Sequence, residues 1–335
     1  MKTMHVEKMG FQLIVKSPFI ACMHHKDLFP AGNSKMEPVH YLPGRSIGND
    51  FNHSAPWRMY YGDKISGFPV HPHRGFETIT VVTKGFADHH DSKGSQGRYG
   101  KGDVQWMTAG AGIQHSEMFP LLNEDGDNTM ELFQIWLNLP QKDKFAKPAY
   151  RMMWNEKIPL LVQTNEAGKT ARIKLIAGNC KGEKSLEPPP ASWASDRKHH
   201  VGIWLIEMEP EATIILPPIS ASLNRMIYLF EGEKLSIYEE ELKKGYCADL
   251  DGNADIFIKN GKKRAHLLLL EGEPIDEPVA AYGPFVMNSM PEVQQAYEDY
   301  QKTHFGGWPW DTDDPVCTKK KPRFARHADG TIERP

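Results

Sequence analysis

The chain has 335 residues, of which 40% are hydrophobic and 25% charged, and its formal net charge is −3. This composition excludes a disordered chain, and the slight negative charge argues against general electrostatic binding to nucleic acid. The apolar runs are too short to span a bilayer and the N-terminus lacks a signal-peptide pattern, so we expect a cytoplasmic protein. At about 150 residues per domain, the length predicts two domains.

The first half of the chain contains short apolar segments that end at turn residues. Residues 78–82 (TITVV) stop shortly before Gly85, and residues 131–137 (ELFQIWL) stop before Pro140. The 28 glycines and 25 prolines also favour a fold rich in turns over a helical bundle. Segments of this length and spacing predict strands, in sheets that close into sandwiches or barrels.

The second half repeats this pattern after a polar middle region. Its apolar runs are residues 201–208, 226–230, 254–258 and 264–270, and the prolines at 188–190 indicate a loop before them. We therefore predict an all-β fold with two domains and a terminal segment. The predicted boundaries are 1–148, 149–290 and 291–335. The four cysteines lie far apart without a CxxC pair, so they predict packed thiols.

One helix is expected near the C-terminus. Residues 289–292 (SMPE) fit a capping box with proline in the first turn, and apolar side chains then recur at 293, 296, 297 and 300. This stripe predicts a helix that docks on a β domain. The tail from Cys317 onward is polar and basic, which predicts a solvated segment, with a weak docking role as the alternative.

Two short motifs in the first half point to metal binding. His71-Pro72-His73 and His115-Ser116-Glu117 each place two ligand-type side chains two residues apart. On a strand such side chains share one face, so each pair can reach a single point. Three imidazoles and one carboxylate suit a divalent first-row metal. A single HxH pair is a weak signal, because histidines also pair by chance, but glycine-rich turns between the two pairs can bring them together.

Longer segments around these motifs resemble the pirin family of the cupin superfamily. The resemblance spans roughly residues 15–305 and is carried by residues 71–78 (HPHRGFET), 89–92, 102–118 (GDVQWMTAGAGIQHSEM), 134–140 and 283–288. It implies two cupin (double-stranded β-helix) barrel domains, with the C-terminal helix packed on them. It also implies that only the N-terminal domain binds metal.

By position, His71, His73, His115 and Glu117 match the family's metal ligands. The implied ion is Fe2+, although manganese, nickel, cobalt, copper or zinc suits the same donors. Some pirins are quercetin 2,3-dioxygenases, which implies a flavonol and O2 as substrates and a monomeric enzyme. We assign Glu117 as the general base for the flavonol's 3-hydroxyl.

A different class of function remains open. Animal pirins resemble nuclear co-regulators, which implies an iron-dependent redox sensor that acts through a protein partner, and a nuclear location if the source is eukaryotic. Several neighbours of the motif are also ambiguous. Glu77 is structural or lies just outside the ligands. His89 and Asp91 either approach the site or belong to a surface strand.

Overall fold

The computed structural model describes residues 4–40 and 43–335. Within these residues the protein consists mostly of β-strands, with one α-helix near the C-terminus. No helix in this part of the chain is long and apolar enough to cross a membrane. The all-β prediction is confirmed.

The strands coincide with the apolar runs of the sequence. In the first half of the chain they are β1 His5–Lys8, β2 Phe19–Phe29, β3 Ser66–His73, β4 Phe76–Lys84, β5 Phe86–Asp91, β6 Gln96–Gly100, β7 Val104–Thr108, β8 Ile113–Phe119, β9 Asn128–Asn138 and β10 Ala149–Met153. The β-branched run 78–82 forms the middle of β4, where every side chain is buried. Residues 131–137 lie within β9.

The second half contains strands in the four predicted runs and others between them. They are β11 Leu160–Thr164, β12 Thr170–Ala177, β13 Asn179–Cys180, β14 Glu183–Lys184, β15 Gly202–Met208, β16 Thr213–Leu216, β17 Asn224–Glu231, β18 Lys234–Ile237, β19 Glu240–Lys243, β20 Tyr246–Asp251, β21 Ile256–Asn260, β22 Ala265–Gly272, β23 Ala280–Tyr282, β24 Phe285–Met287, β25 Phe324–Arg326 and β26 Ile332–Glu333. Short 3₁₀ turns occur at Gln141–Asp143, Trp193–Ser195, Arg197–His199 and His304–Gly306.

The chain forms two compact units, each assembled from segments that are distant in sequence. The first unit comprises His24–Ile135, Leu139–Asn155 and Glu277–Pro335. We call it the site unit because it contains both predicted metal motifs. The second unit comprises the chain up to Met23, Trp136–Asn138 and Glu156–Asp276. The domain boundaries that we predict from the sequence, 1–148, 149–290 and 291–335, stay a prediction.

The site unit contains two main sheets. Their strand orders are β26-β25-β6-β5-β8-β3 and β10-β7-β4-β9-β2, and β23 pairs with β24 in a small third sheet. Large apolar side chains are fully buried in this unit, among them Phe76, Trp106 and Phe133. The two predicted metal motifs lie on β3 and β8, which are neighbours in the first of these sheets.

The second unit has a sheet of seven strands in the order β1-β20-β17-β22-β15-β12-β11 and a sheet in the order β16-β21-β18-β19. Its core is aliphatic and includes Trp204 and the alternating residues Leu267 and Leu269 of β22. The four cysteines of the chain are buried as free thiols.

The predicted helix is α1, Met290–Thr303, and it begins at the predicted cap. The Ser289 side chain accepts a hydrogen bond from the Glu292 backbone N–H, and the Glu292 carboxylate accepts one from the Asn288 backbone N–H. Val293 and Ala296 are buried against β24 residues such as Phe285. The capping pattern and the apolar stripe therefore both have the predicted role.

The predicted solvated tail is exposed over most of its length, but a short segment of it joins a sheet. Strand β25 pairs with β6, so that Phe324 lies opposite Arg98, and Phe324 is buried. Arg98 also donates hydrogen bonds to three carbonyl groups between Thr318 and Lys321, as well as to the Asp88 carboxylate. The tail contains few apolar residues, so hydropathy alone did not reveal that its backbone joins a sheet.

Candidate metal centre

Antiparallel pairing of β3 with β8 brings the two predicted metal motifs together. His71 lies opposite His115, and Phe68 lies opposite Glu117. Gly75 keeps the turn after β3 tight, because its φ is +85° and a Cβ there would lie 2.0 Å from the Val286 carbonyl oxygen. The pairing of β3 with β8 therefore places both motifs on one face of these two strands.

Three imidazoles converge on one point in this sheet. His71, His73 and His115 each offer a ring nitrogen, and these nitrogens all lie within 4.8 Å of one another. The ring centroids are 4.4 Å apart for His71 and His115 and 5.0 Å apart for His73 and His115. Such spacing allows one metal ion to contact all three rings.

In two of these rings, a backbone carbonyl group determines which nitrogen carries the proton. His71 Nδ1 lies 2.8 Å from the Pro69 carbonyl oxygen, and His73 Nδ1 lies 3.4 Å from that of Pro284. A carbonyl can only accept, so Nδ1 donates in both rings and the lone pair of the neutral imidazole is on Nε2. A carbonyl partner of this kind is typical of metal-binding histidines.

His115 gives the strongest sign that the cluster fits a metal. Its side chain is fully buried, and neither ring nitrogen has a hydrogen-bond partner in the part of the chain that the structure describes. Burial lowers the pKa of His115 and His73 well below the usual value, and it also lowers the pKa of His71. All three rings are therefore neutral at pH 7, which is the form that coordinates a metal.

Glu117 lies next to the imidazole cluster, and other side chains hold its carboxylate. Thr80 Oγ1 and Tyr99 Oη donate to Oε1 over 2.7 and 3.1 Å, and Gln134 Nε2 donates to Oε2 over 3.2 Å. Among the described residues, the group of His, Cys, Asp and Glu side chains whose ligand atoms lie close enough to share an ion comprises the three histidines and does not include Glu117. The roles of all four residues as ligands remain a proposal.

Sequence reasoning did not identify Thr80, Tyr99 and Gln134. They come from β4, β6 and β9, which are distant in sequence. The sequence feature that could have identified such a residue is a polar side chain inside an apolar run, such as Gln134 in residues 131–137 (ELFQIWL). Such a residue is buried only with a hydrogen-bond partner, but the sequence does not identify that partner.

His89 and Asp91 belong to the interior, so the alternative of a surface strand was wrong. In the pairing of β5 with β8, His89 lies opposite Glu117 and Asp91 opposite His115. The ring centroids of His89 and His115 are 5.5 Å apart, and His89 Nε2 lies 3.4 Å from Asp91 Oδ2. Both side chains are buried. They form a polar layer beside the imidazoles.

The other candidates near the motifs have structural contacts. The buried Glu77 carboxylate accepts a hydrogen bond of 2.6 Å from Thr108 Oγ1. Arg74 follows His73, and Gln114 precedes His115. Because successive side chains of a strand point to opposite faces, both residues contact other elements. Arg74 forms an ion pair with Asp299 of α1, and Gln114 donates to the His304 carbonyl.

The histidines of the second unit lack a comparable arrangement. His199 Nδ1 lies 2.7 Å from the Trp193 carbonyl oxygen, and the ring stacks on Trp193. His266 packs near Phe230, with ring centroids 6.1 Å apart. Within residues 4–40 and 43–335, the single group of three or more metal-ligating side chains is the one in the site unit.

Family comparisons agree with this fold. The pirin family model matches residues 40–137, and the model of the pirin C-terminal cupin domain matches residues 203–306. The protein is therefore an all-β protein with two cupin-type domains. The chain belongs to the pirin family.

Several relatives carry names that refer to flavonol cleavage. The chain is 35% identical over 241 residues to a Pseudomonas aeruginosa protein named "putative quercetin 2,3-dioxygenase", covering 71% of this chain and 79% of the relative. It is 35% identical over 271 residues to a pirin-like protein of Solanum lycopersicum, covering 77% and 84%. The crystal structure of an Acinetobacter baumannii quercetin 2,3-dioxygenase matches with a TM-score of 0.69 at 26% identity, covering 91% of this chain and 96% of that one.

Proposed function

We propose that this protein is a metal-dependent dioxygenase that cleaves flavonols such as quercetin. The observation that carries the proposal is the cluster of three neutral imidazoles, in which neither nitrogen of the buried His115 has a hydrogen-bond partner among the described residues. The names of the relatives supply the substrate class. The overall reaction joins a flavonol with O2, opens the central ring and releases carbon monoxide.

His71, His73, His115 and Glu117 are the proposed ligands of one divalent ion. The donor set of three imidazoles and a carboxylate suits Fe2+, and it also suits manganese, nickel, cobalt, copper and zinc. When bound, such an ion supplies Lewis acidity, which lowers the pKa of a hydroxyl group that coordinates to it. Because the three imidazoles are neutral and Glu117 is the single anionic ligand in this set, a divalent ion held by these residues would keep a net positive charge.

Glu117 is the proposed general base. Once its contact with the ion loosens, its carboxylate would take the proton of the flavonol's 3-hydroxyl, while the neighbouring donors hold its orientation. Tyr99 and Thr80 contact Oε1, and Gln134 contacts Oε2. A base acts efficiently when it is within hydrogen-bond reach of the proton, and these contacts fix the carboxylate on the same face as His115. Its burial also limits the access of water to the reacting oxygen.

The substrate claim predicts a sharp dependence on the 3-hydroxyl group. We expect the metal-loaded protein to consume O2 with quercetin and to leave luteolin, which lacks only that hydroxyl, unchanged. The reason is that luteolin has no 3-hydroxyl proton for Glu117 to remove. Oxygen uptake and carbon monoxide release would be measured with both compounds on one anaerobically purified sample of known metal content.

Two outcomes would contradict the proposal. Equal consumption of quercetin and luteolin would exclude the role of the 3-hydroxyl. A fully loaded protein that takes up no oxygen with either compound would exclude the dioxygenase and favour the alternative, an iron-binding redox sensor. That alternative would then be tested by capturing a protein partner with the oxidised and the reduced forms.

A further inference from the structure

A group of three aromatic side chains reaches the edge of the imidazole cluster through Phe68, the member whose ring lies beside His71. The ring centroid of Phe68 lies 6.3 Å from that of His71 and 6.0 Å from that of Tyr61. Phe51 extends the group, with its ring centroid 4.9 Å from Tyr61 and 6.5 Å from Phe68. We call Phe51, Tyr61 and Phe68 the aromatic wall.

The aromatic wall lies on the side of the cluster that solvent reaches. Tyr61 is 51% exposed, and Phe51, Phe68 and His71 are half-buried, whereas His115 is fully buried. Grouped large aromatic rings at a protein surface are typical of a binding site, because their apolar area is otherwise left in water. A ligand that contacts Phe68 would therefore also lie near His71.

A β-bulge in β3 directs Phe68 toward the metal site. Phe68 pairs with Glu117 and His71 pairs with His115, so three steps along β3 correspond to two along β8. In a regular strand, residues three apart face opposite sides. The extra residue brings Phe68 onto the face of His71 and Glu117. Bulges commonly redirect a side chain next to an active site.

The aromatic wall has rigid support behind it. Tyr60 stacks on Phe68 with ring centroids 5.0 Å apart and an interplanar angle of 29°. The buried Tyr60 hydroxyl donates to Asp27 Oδ2 over 2.7 Å and lies 2.8 Å from His25 Nδ1. Because these contacts fix Tyr60, Phe68 has a preformed position, and little conformational entropy would be lost when a flat ligand binds.

We propose that the aromatic wall binds the planar ring system of an aromatic substrate, with one of its oxygen substituents directed at the imidazole cluster. Contact between two aromatic rings contributes stabilisation in addition to that from the apolar area that the rings bury. Aromatic side chains combined with a few polar groups are also typical of small-molecule binding sites. This inference rests on the proposed function for the nature of the reaction, but the binding of flat rings is testable without turnover.

The test uses flavone, the ring skeleton without hydroxyl groups, as the probe. We expect Tyr61→Ala and Phe68→Leu each to raise the Kd for flavone about three- to tenfold in the metal-loaded protein. Phe86→Leu is the matched control, because Phe86 is a half-buried aromatic residue of the same unit that packs near Lys101. Calorimetry would give the Kd, and metal content should equal that of the wild type in all variants.

The outcomes separate this inference from the catalytic proposal. Unchanged flavone affinity in both wall variants, or no flavone binding by the wild type, would overturn the aromatic wall even if quercetin were cleaved. Weaker flavone binding in both variants, with unchanged metal content, would support the wall even if quercetin were not cleaved. Tyr61→Ala is the safer variant for folding, because that side chain is half in solvent.

Discussion

Replacement of His115 by alanine is expected to remove most of the bound metal. The change deletes one of three imidazoles from the proposed site, and mutation of residues that merely support a ligand already lowers metal affinity about 10–100-fold. We therefore expect the affinity to fall at least about 100-fold and the metal retained on purification to fall several-fold. The fold should persist, because neither ring nitrogen of His115 forms a hydrogen bond with residues 4–40 or 43–335 that the change would remove.

Metal analysis and thermal unfolding would measure this effect together. The wild type should gain thermal stability when metal is added, since a ligand that binds only the folded state stabilises it, and His115→Ala should gain little. His90→Ala is the control: His90 is also buried and lies on neighbouring β5, but it packs against Trp310. Full iron retention by His115→Ala would refute the assignment of His115 as a ligand.

Glu117→Gln is expected to reduce turnover far more than stability. Loss of a general base typically slows a reaction by about 10²–10⁴-fold. Glutamine has nearly the same shape and keeps an oxygen acceptor, so we expect the free energy of unfolding to change by no more than about 1–3 kcal/mol. Turnover would be expressed per bound ion, because Glu117 is also a proposed ligand. Denaturant unfolding would give the stability of the same preparation.

Glu77→Gln is the matched control for this second change. Glu77 is a buried carboxylate of the same unit, and it accepts a hydrogen bond from Thr108. We expect its substitution to leave turnover per bound ion close to that of the wild type. If Glu117→Gln retained full activity while Glu77→Gln lost it, the general base would have to be reassigned to Glu77.

Local sequence patterns predicted the parts of the site that depend on one strand. The HxH and HxE spacings place ligand-type side chains on one face of a strand, and the structure brings His71 and His115 opposite each other. The capping box likewise predicted the start of α1 at Met290. These features depend on alternation and on local hydrogen bonds, which neighbouring residues determine.

Features that depend on pairing between distant strands were not predictable in this way. The position of Phe68 depends on a bulge in the pairing of β3 with β8. The orientation of Glu117 depends on Tyr99 and Gln134, which lie on strands far apart in sequence. The tail strand β25 joins β6 through backbone groups, although its composition suggested a solvated segment. Register of this kind follows from the whole sheet rather than from one segment.

The central claim is that one metal ion in the imidazole cluster supports flavonol cleavage. Titration of metal-free protein with Fe2+ under anaerobic conditions, followed by addition of quercetin and O2, tests it most directly through carbon monoxide release. We predict that the release rate rises in proportion to bound iron and levels off at a single ion per chain, and that His115→Ala shows no such rise. A fully loaded wild type that releases no carbon monoxide, or release that is independent of iron, would contradict the claim.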